Sequence, residues 1–187
     1  RFFAPVLVSC EEEGILTQNT DVNAEPYEVR KSVRFNISNE TREAARVTVR
    51  WALKDGVGAV KRGGEIPFEV PALTAVWGDQ IPLPETDLYE DHVWFEGTDE
   101  AGNPVGSGSV IFAPPKHFRF RDPTLSARVE GDEVVVVSQA YAQKVEVRNA
   151  EETLLLSDNY LDMEPGEERR LKILEGAADA LLVIVHV

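Results

Sequence analysis

Apolar and polar residues alternate with a period of two along most of this chain. In SVRFNIS, Val33, Phe35 and Ile37 occupy every second position, and polar residues fill the positions between them. In ARVTVRWAL, every second residue from Ala45 to Leu53 is apolar. Successive side chains leave opposite faces of a strand, so this pattern predicts half-buried antiparallel strands. A helical period is nearly absent.

The same pattern predicts a series of short strands along the whole chain. Strong turn formers such as Asp55-Gly56, Gly131-Asp132 and Pro165-Gly166 separate them at short intervals. The predicted strands are residues 2–9, 32–38, 45–53, 65–70, 92–96, 106–112, 125–129, 133–138, 144–148, 169–174 and 180–187. Many short strands with this spacing are typical of β-sandwiches.

A domain boundary is predicted at Ala113-Pro114-Pro115-Lys116, because two prolines cannot donate to a sheet ladder. The expected fold class is therefore all-β, with two immunoglobulin-like antiparallel β-sandwiches in tandem. Residues 1–115 form the first sandwich and residues 116–187 the smaller C-terminal one. The second, with about 70 residues, is small for such a fold and is expected to depend on its neighbour for stability.

Composition and charge restrict the partners. Hydrophobic residues make up 43% of the 187 residues, which is enough for buried cores. The formal net charge of −14 disfavours nucleic acid and anionic membrane surfaces as partners. No apolar run approaches the roughly 20 residues that span a bilayer. The chain starts at Arg1 and its only methionine is Met163, which predicts a piece of a longer or processed protein. Without a signal segment or a disulfide, the cytoplasm is favoured.

No cofactor or metal site is predicted. Cys10 is the only cysteine and precedes three glutamates, which should raise the pKa of its thiol and make it structural. His92, His117 and His186 lie far apart in the sequence and lack the spacing of metal ligands. With 33 acidic residues, a pair of carboxylates at any chosen distance has no diagnostic value for glycoside chemistry.

Five pieces in a fixed order resemble the C-terminal region of β-mannosidases of glycoside hydrolase family 2. The pieces are FAPVLVS (3–9), ISNETRE (37–43), VRWALKDG (49–56), SVIFAPPK (109–116) and SDNYLDMEPGE (157–167). The first and last are the most specific, and the likeness spans almost the whole chain. One departure is Leu161, where the family pattern has an aromatic residue after the tyrosine.

The resemblance implies two immunoglobulin-like sandwiches that follow a (β/α)8 barrel in the same polypeptide. The catalytic glutamates of the family lie on that barrel, and nothing in this chain matches it, so no catalytic residue is assigned here. The parent would be a retaining β-mannosidase that works through two carboxylates. The expected partner is this upstream catalytic barrel, with β-mannoside oligosaccharides as a further possible ligand. The chain itself is then expected to be a non-catalytic accessory region.

The stretch from Ser157 to Arg170, SDNYLDMEPGEERR, allows three interpretations. Its Ser-Asp-Asn matches one box of penicillin-recognising enzymes, but their Ser-x-x-Lys and Lys-Thr-Gly boxes are missing. Its side-chain oxygens suggest a calcium loop, although the spacing is not that of an EF-hand. The favoured interpretation is a turn: Asp158 or Asn159 bonds nearby backbone, Tyr160 tucks into the sandwich, and Pro165-Gly166 closes the loop.

Aromatic residues supply the candidate contact sites. In DHVWFEG, Trp94 alternates with Val93 and Phe95, so it faces outward if those two face the core. An outward tryptophan suits either a domain interface or a sugar-binding platform, which Tyr89 would extend. Tyr160 is the third candidate. The alternatives to a scaffold role are thus a carbohydrate-binding module and a stand-alone adhesion or interaction domain.

Overall fold

The computed structural model describes residues 4–15, 17–18 and 28–185. Within these ranges the chain consists of antiparallel strands and turns, with one short 3-10 helix, Pro115–His117, as its only helical element. No helix in the described part has the length and apolarity that a membrane crossing needs. The predicted all-β class is confirmed.

The chain divides into two compact units. The first comprises residues 1–55 and 59–118, and the second comprises residues 56–58 and 119–187, so the main division lies between Phe118 and Arg119. The last strand of the first unit ends at Ile111, and the 3-10 helix follows Pro114. The missing N–H groups of Pro114 and Pro115 explain why pairing stops there. That residues 1–115 and 116–187 are separate folding domains stays a prediction.

The described residues of the first unit form eight strands in two sheets. The strands are β1 Val6–Glu13, β2 Ser32–Asn39, β3 Ala45–Lys54, β4 Val60–Val70, β5 Thr74–Trp77, β6 Ile81–Pro82, β7 His92–Asp99 and β8 Pro104–Ile111. One sheet has the order β1-β2-β5, with β6 also paired to β2, and the other has the order β4-β3-β7-β8. The predicted alternation in β2 and β3 places Phe35, Ile37, Val49 and Leu53 fully inside the core.

The core of the first unit requires a close approach at Gly97 in β7. A Cβ atom there would lie 2.4 Å from Cγ2 of Val8 and 3.3 Å from Cγ1 of Val47. Val8 belongs to β1, so the glycine lets a strand of one sheet pack directly against the other sheet. Any side chain at this position would separate the two sheets.

In the second unit, residues up to 185 are described, and they form seven strands in two sheets. They are β9 Ser126–Glu130, β10 Glu133–Val137, β11 Ala142–Arg148, β12 Leu155–Leu156, β13 Leu161–Met163, β14 Glu168–Glu175 and β15 Leu182–Val185. The sheets have the orders β12-β14-β10-β9 and β13-β11-β15. Val134, Val145, Val147 and Met163 are completely buried in its core.

The eleven predicted strands correspond to strands of the structure, and the differences have simple reasons. Residues 2, 3, 186 and 187, the ends of two predicted strands, lie outside the described residues. The strands β5, β6, β12 and β13 were missed, because two to four residues are too few to show alternation. β1 continues four residues beyond the prediction, to Glu13, since its glutamates still alternate between the two faces of the sheet.

Asn39 closes the end of β2 with its side chain. It is 1% exposed, and its Nδ2 donates to the carbonyl oxygens of Glu43 at 2.8 Å, Pro71 at 3.1 Å and Val70 at 3.2 Å. Its Oδ1 accepts from the backbone N–H of Thr41 at 2.9 Å and from the Thr41 hydroxyl at 2.7 Å. The asparagine therefore bonds backbone groups both of the turn that follows β2 and of the end of β4. Asn39-Glu40-Thr41 is a formal glycosylation sequon, but this amide is buried and fully engaged.

We expect Asn39→Ala to lower the free energy of unfolding by about 2 to 4 kcal/mol, because several buried polar groups lose their partner. Urea unfolding of the 187-residue chain, followed by circular dichroism, measures the change. Asn103→Ala is the matched control, since Asn103 is exposed and its amide bonds only Asp99, at 3.0 Å. This control should cost less than about 1 kcal/mol. Equal losses in the two variants would contradict the role of Asn39.

Glu12 lies on the core-facing side of β1, opposite the buried Val33. Burial, followed by the charge of Glu11, raises the pKa of the Glu12 carboxyl above its ordinary value. The folded state therefore holds the proton more tightly than the unfolded state. The stability gained from the protonated form is present at low pH and is lost as the pH rises through the raised pKa.

We expect Glu12→Gln to raise the melting temperature at neutral pH, because it removes a charge that burial disfavours. The gain should shrink toward zero at about pH 4, where the native glutamate carries its proton. Glu65→Gln is the control, since Glu65 is exposed and pairs with Arg50 at 3.4 Å, and it should give no such gain. A lower melting temperature for Glu12→Gln at neutral pH would refute this assignment.

Candidate functional site

Trp94 has the predicted orientation but is only partly exposed. Its neighbours Val93 and Phe95 are buried at 0% and 5% exposure, so Trp94 points to the opposite face of β7. The Nζ atom of Lys54 lies 4.9 Å from the centroid of the Trp94 ring, a cation–π distance. His92, on the same face, is completely buried. A binding role for Trp94 stays a prediction.

Tyr89 lies in the turn that leads into β7, and its exposed fraction is 37%. The turn is held by Asp91, which is completely buried. Oδ2 of Asp91 accepts from the backbone N–H of Asp87 and from Nζ of Lys61, each at 2.7 Å. The hydrogen bond to Asp91 raises the pKa of Lys61, which favours the charged ammonium group. Tyr89 is thus presented by a fixed turn, and its role as a contact residue stays a prediction.

Tyr160, in the second unit, is 57% exposed, so the prediction that it tucks into the sandwich is wrong. The reason is the residue before it. The side chain of Asn159 pairs with the backbone of Val147 in β11, accepting from its N–H at 2.8 Å and donating to its carbonyl at 2.9 Å. Tyr160 follows with a φ of 55° and turns outward. Leu161, 4% exposed, is the residue that enters the core.

The rest of this stretch forms the predicted turn. Gly166 has a φ of 76°, and the N–H of Glu167 donates to the carbonyl of Glu164 at 3.1 Å, so Pro165-Gly166 closes the loop. The oxygens proposed for calcium have other partners: Oδ1 of Asp162 accepts from the backbone N–H of Lys144 at 3.3 Å. Among the described residues, no three His, Cys, Asp or Glu side chains are grouped to hold a metal ion.

Cys10 points toward the core from β1, where it pairs with Phe35. Burial is the main cause that raises the pKa of its thiol, and the charges of Glu12 and Glu11 add to it. From the sequence, only the neighbouring carboxylates were expected to raise this pKa. A thiol with a raised pKa is protonated at neutral pH and is a poor nucleophile.

Carboxylates on the outer face of the second unit form ion pairs with arginines. Arg128 lies 2.7 Å from Glu130 and 2.9 Å from Glu168, and Arg170 lies 2.9 Å from both. Hydrogen bonds from the guanidinium groups, with Arg128 first, lower the pKa of Glu130 and Glu168. A general acid in a glycosidase needs a raised pKa, so these exposed pairs do not suit that role.

Trp77 was missed by the sequence analysis and is the most exposed of the tryptophans, at 51%. It ends β5, and its neighbour Val76 packs on the core, so Trp77 points away from it. Cζ of Arg34 lies 4.3 Å from the ring centroid, and Nε of Arg34 pairs with Glu11 of β1. In the sequence, the only sign that Trp77 faces outward was its alternation with Val76, and a strand of four residues is too short to make that pattern clear.

Two adjoining cavities of the first unit are lined mainly by charged and polar residues. One has a volume of about 660 Å³ and is lined by Glu11 and Arg34, and the other has a volume of about 440 Å³ and reaches Pro82 and Pro84. Both are lined by Glu13, Glu28, Arg30 and Gln80. Trp77 lines neither cavity.

Two protein-family models match the chain in succession. Residues 31–117 match a mannosidase Ig/CBM-like domain, and residues 120–182 match an Ig-fold domain of the mannosidase type. No curated protein sequence gives a significant match.

Solved structures of larger enzymes share the fold. A β-D-mannosidase from Dictyoglomus thermophilum aligns with a TM-score of 0.69 and 16% identity over 98% of this chain. An exo-chitosanase, CsxA, from Amycolatopsis orientalis aligns with a TM-score of 0.53 and 15% identity over 75% of it. The chain covers 22% of each of these proteins. At such identities the likeness concerns the fold.

We expect Asn159→Asp to destabilise the chain by about 1 to 3 kcal/mol at neutral pH, because a carboxylate oxygen would then face the Val147 carbonyl. Protonation restores a donor, so the folded state would raise the pKa of the new carboxyl. The loss should therefore diminish as the pH falls through that pKa. Urea unfolding of variant and wild-type chains over the same pH range measures it. A loss that does not change with pH would contradict this pairing.

Proposed function

Since this chain carries a mannosidase Ig/CBM-like domain followed by a mannosidase-type Ig-fold domain, and neither is catalytic, we propose that it is the C-terminal accessory region of a family 2 glycoside hydrolase. One observation supports this most directly. The β-D-mannosidase matches 98% of this chain, whereas the chain accounts for only 22% of that enzyme. In this proposal, the catalytic domain lies in the remainder of the parent enzyme.

The proposed role is mechanical. The two units pack against an upstream (β/α)8 domain of the same polypeptide and stabilise it, while two carboxylates on that barrel hydrolyse terminal β-mannosides. The exo-chitosanase shows that the same fold also accompanies an enzyme with a different sugar specificity. The proposal that the parent acts on mannosides therefore rests on the match to the two mannosidase-type models.

Exposed apolar side chains of the second unit supply a surface for this packing. Leu155 in β12 is 53% exposed and Leu174 in β14 is 58% exposed, and these strands are neighbours in one sheet. Large exposed apolar residues on adjacent strands are typical of surfaces that another domain covers. We assign them to the contact with the catalytic domain.

The first test is made on the full-length parent, whose coding sequence before Arg1 should encode a (β/α)8 pattern with two barrel glutamates. Removing residues 1–187 should lower the melting temperature of the parent or make it insoluble. The isolated 187-residue chain should not hydrolyse p-nitrophenyl β-mannoside. A truncated parent with full stability and activity, or hydrolysis by the isolated chain, would overturn the proposal.

The surface assignment has its own test. We expect the double variant Leu155→Ser/Leu174→Ser to lower the melting temperature of the full-length parent and to leave that of the isolated chain nearly unchanged, since both side chains are exposed in the chain. Val60→Ser is the matched control, because Val60 is 62% exposed in the first unit and has no assigned contact. Equal melting temperatures for the variant and the native parent would contradict this contact surface.

A further inference from the structure

We propose that exposed apolar side chains along β5 form a docking surface for the catalytic domain that precedes Arg1 in the same polypeptide. We name this feature the β5 surface and define it by Leu73, Ala75 and Trp77. The contact rests on the proposed function, because that function supplies the preceding domain. It lies on the first unit and adds to the contact assigned to the leucines of β12 and β14.

The three side chains of the β5 surface reach solvent. Leu73 directly precedes β5 and is 69% exposed, the largest fraction for any large apolar residue in the described part of the chain. Trp77 is 51% exposed although Arg34 already stacks on its ring. Ala75 is exposed as well, and only Val76 packs on the core. Neighbouring exposed apolar residues of this size are typical of a surface that another domain covers.

The β5 surface lies beside uncharged positions of its sheet. In the antiparallel ladders, residues directly opposite each other share a face of the sheet. The positions that share the outer face with Ala75 and Trp77 are Asn36 and Ser38 of β2 and Leu7 and Ser9 of β1. Beyond them, Arg34 and Glu11 form an ion pair with each other. A charge-free area suits a contact from which water is removed, because an unpaired charge is costly to bury.

β5 is an edge strand without the features that protect other edges of the first unit. Charges and prolines on an edge strand prevent pairing with other chains, and β4 carries both, for example Arg62 and Pro67. The edge strand β8 is covered by β1, since a Cβ at Gly106 would lie 3.5 Å from the backbone N of Val8. β5, Thr74–Trp77, has neither a charge nor a proline. Cover by a domain of the same polypeptide would protect this edge.

Leu73 has a backbone conformation that leucine rarely adopts. Its φ is 55°, in the left-handed region, where asparagine is favoured over residues with a larger side chain. Its N–H donates to the carbonyl of Thr41 at 3.1 Å, which holds this turn in place. Asparagine would suit the isolated turn better. A leucine at an exposed and strained position therefore indicates a role outside the first unit.

The chain enters the sheet at the same end as Leu73. The N–H of Glu40 donates to the carbonyl of Pro5 at 2.8 Å, and the next residue, Thr41, accepts from Leu73. Pro5 and Leu73 thus both bond the turn that follows β2. A domain that precedes β1 in the polypeptide joins the first unit beside the β5 surface. We commit to this occupant, rather than a second copy of the chain, because of this proximity.

The first test is Leu73→Asn in the isolated 187-residue chain and in the full-length parent. The melting temperature of the isolated chain should stay equal or rise, because asparagine suits the left-handed backbone. That of the parent should fall by at least about 2 °C, because an apolar contact is lost. Val60→Ser is the matched control, since Val60 is 62% exposed on the first unit, and it should change neither melting temperature. An unchanged parent, or an equal fall in both proteins, would overturn the docking surface.

The second test measures the exposure of Trp77 by hydroxyl-radical labelling and mass spectrometry. Trp77 should be labelled at least about fivefold more slowly in the parent than in the isolated chain, because the centre of an interface excludes water. Trp51, at 6% exposure, is the internal reference and should react slowly in both proteins. Equal labelling of Trp77 in both proteins contradicts the proposal. Protection that appears in the isolated chain as its concentration rises identifies a second copy as the occupant and also contradicts it.

The docking surface and the proposed function fail in different experiments. A parent that keeps full stability and activity without residues 1–187 contradicts the proposed function. If truncation destabilises the parent but Leu73→Asn does not, and Trp77 is labelled equally in both proteins, only the β5 surface is wrong.

Discussion

The end of each sheet ladder must still satisfy its backbone N–H and carbonyl groups, and side-chain amides do this at several places. Asn39 bonds the carbonyls of Glu43, after β2, and of Val70 and Pro71, at the end of β4. Asn159 pairs with Val147 as a strand residue would. Asn149 is 3% exposed, and its Oδ1 accepts from the N–H of Thr153 at 2.9 Å. With these backbone groups satisfied, the strands can stop and turn at these positions.

The way in which the backbone groups are bonded at each turn also explains which neighbouring side chains reach solvent. Where Asn159 replaces a strand residue, the next residue must turn outward, so Tyr160 is exposed and Leu161 is buried. Where Gly78 presses the chain onto Phe35, the preceding Trp77 remains on the outer face. The exposed aromatic residues thus follow from how each turn is made.

One proposed contact with a catalytic domain uses the second unit. The leucines of β12 and β14 are exposed and apolar and suit permanent cover by another domain. The other contact uses the first unit, where Trp77 is exposed and Arg34 stacks on its ring.

The period-two pattern, the turn residues and the Pro114-Pro115 pair were enough to predict an all-β chain and its long strands, because alternation and missing N–H groups are local properties. The sequence pieces also indicated the mannosidase-type domains that the family models match. The exposure of Tyr160, the burial of His92 and the prominence of Trp77 could not be predicted in this way. Each depends on which distant strand or loop lies beside the residue, and that is known only when the sheets have packed.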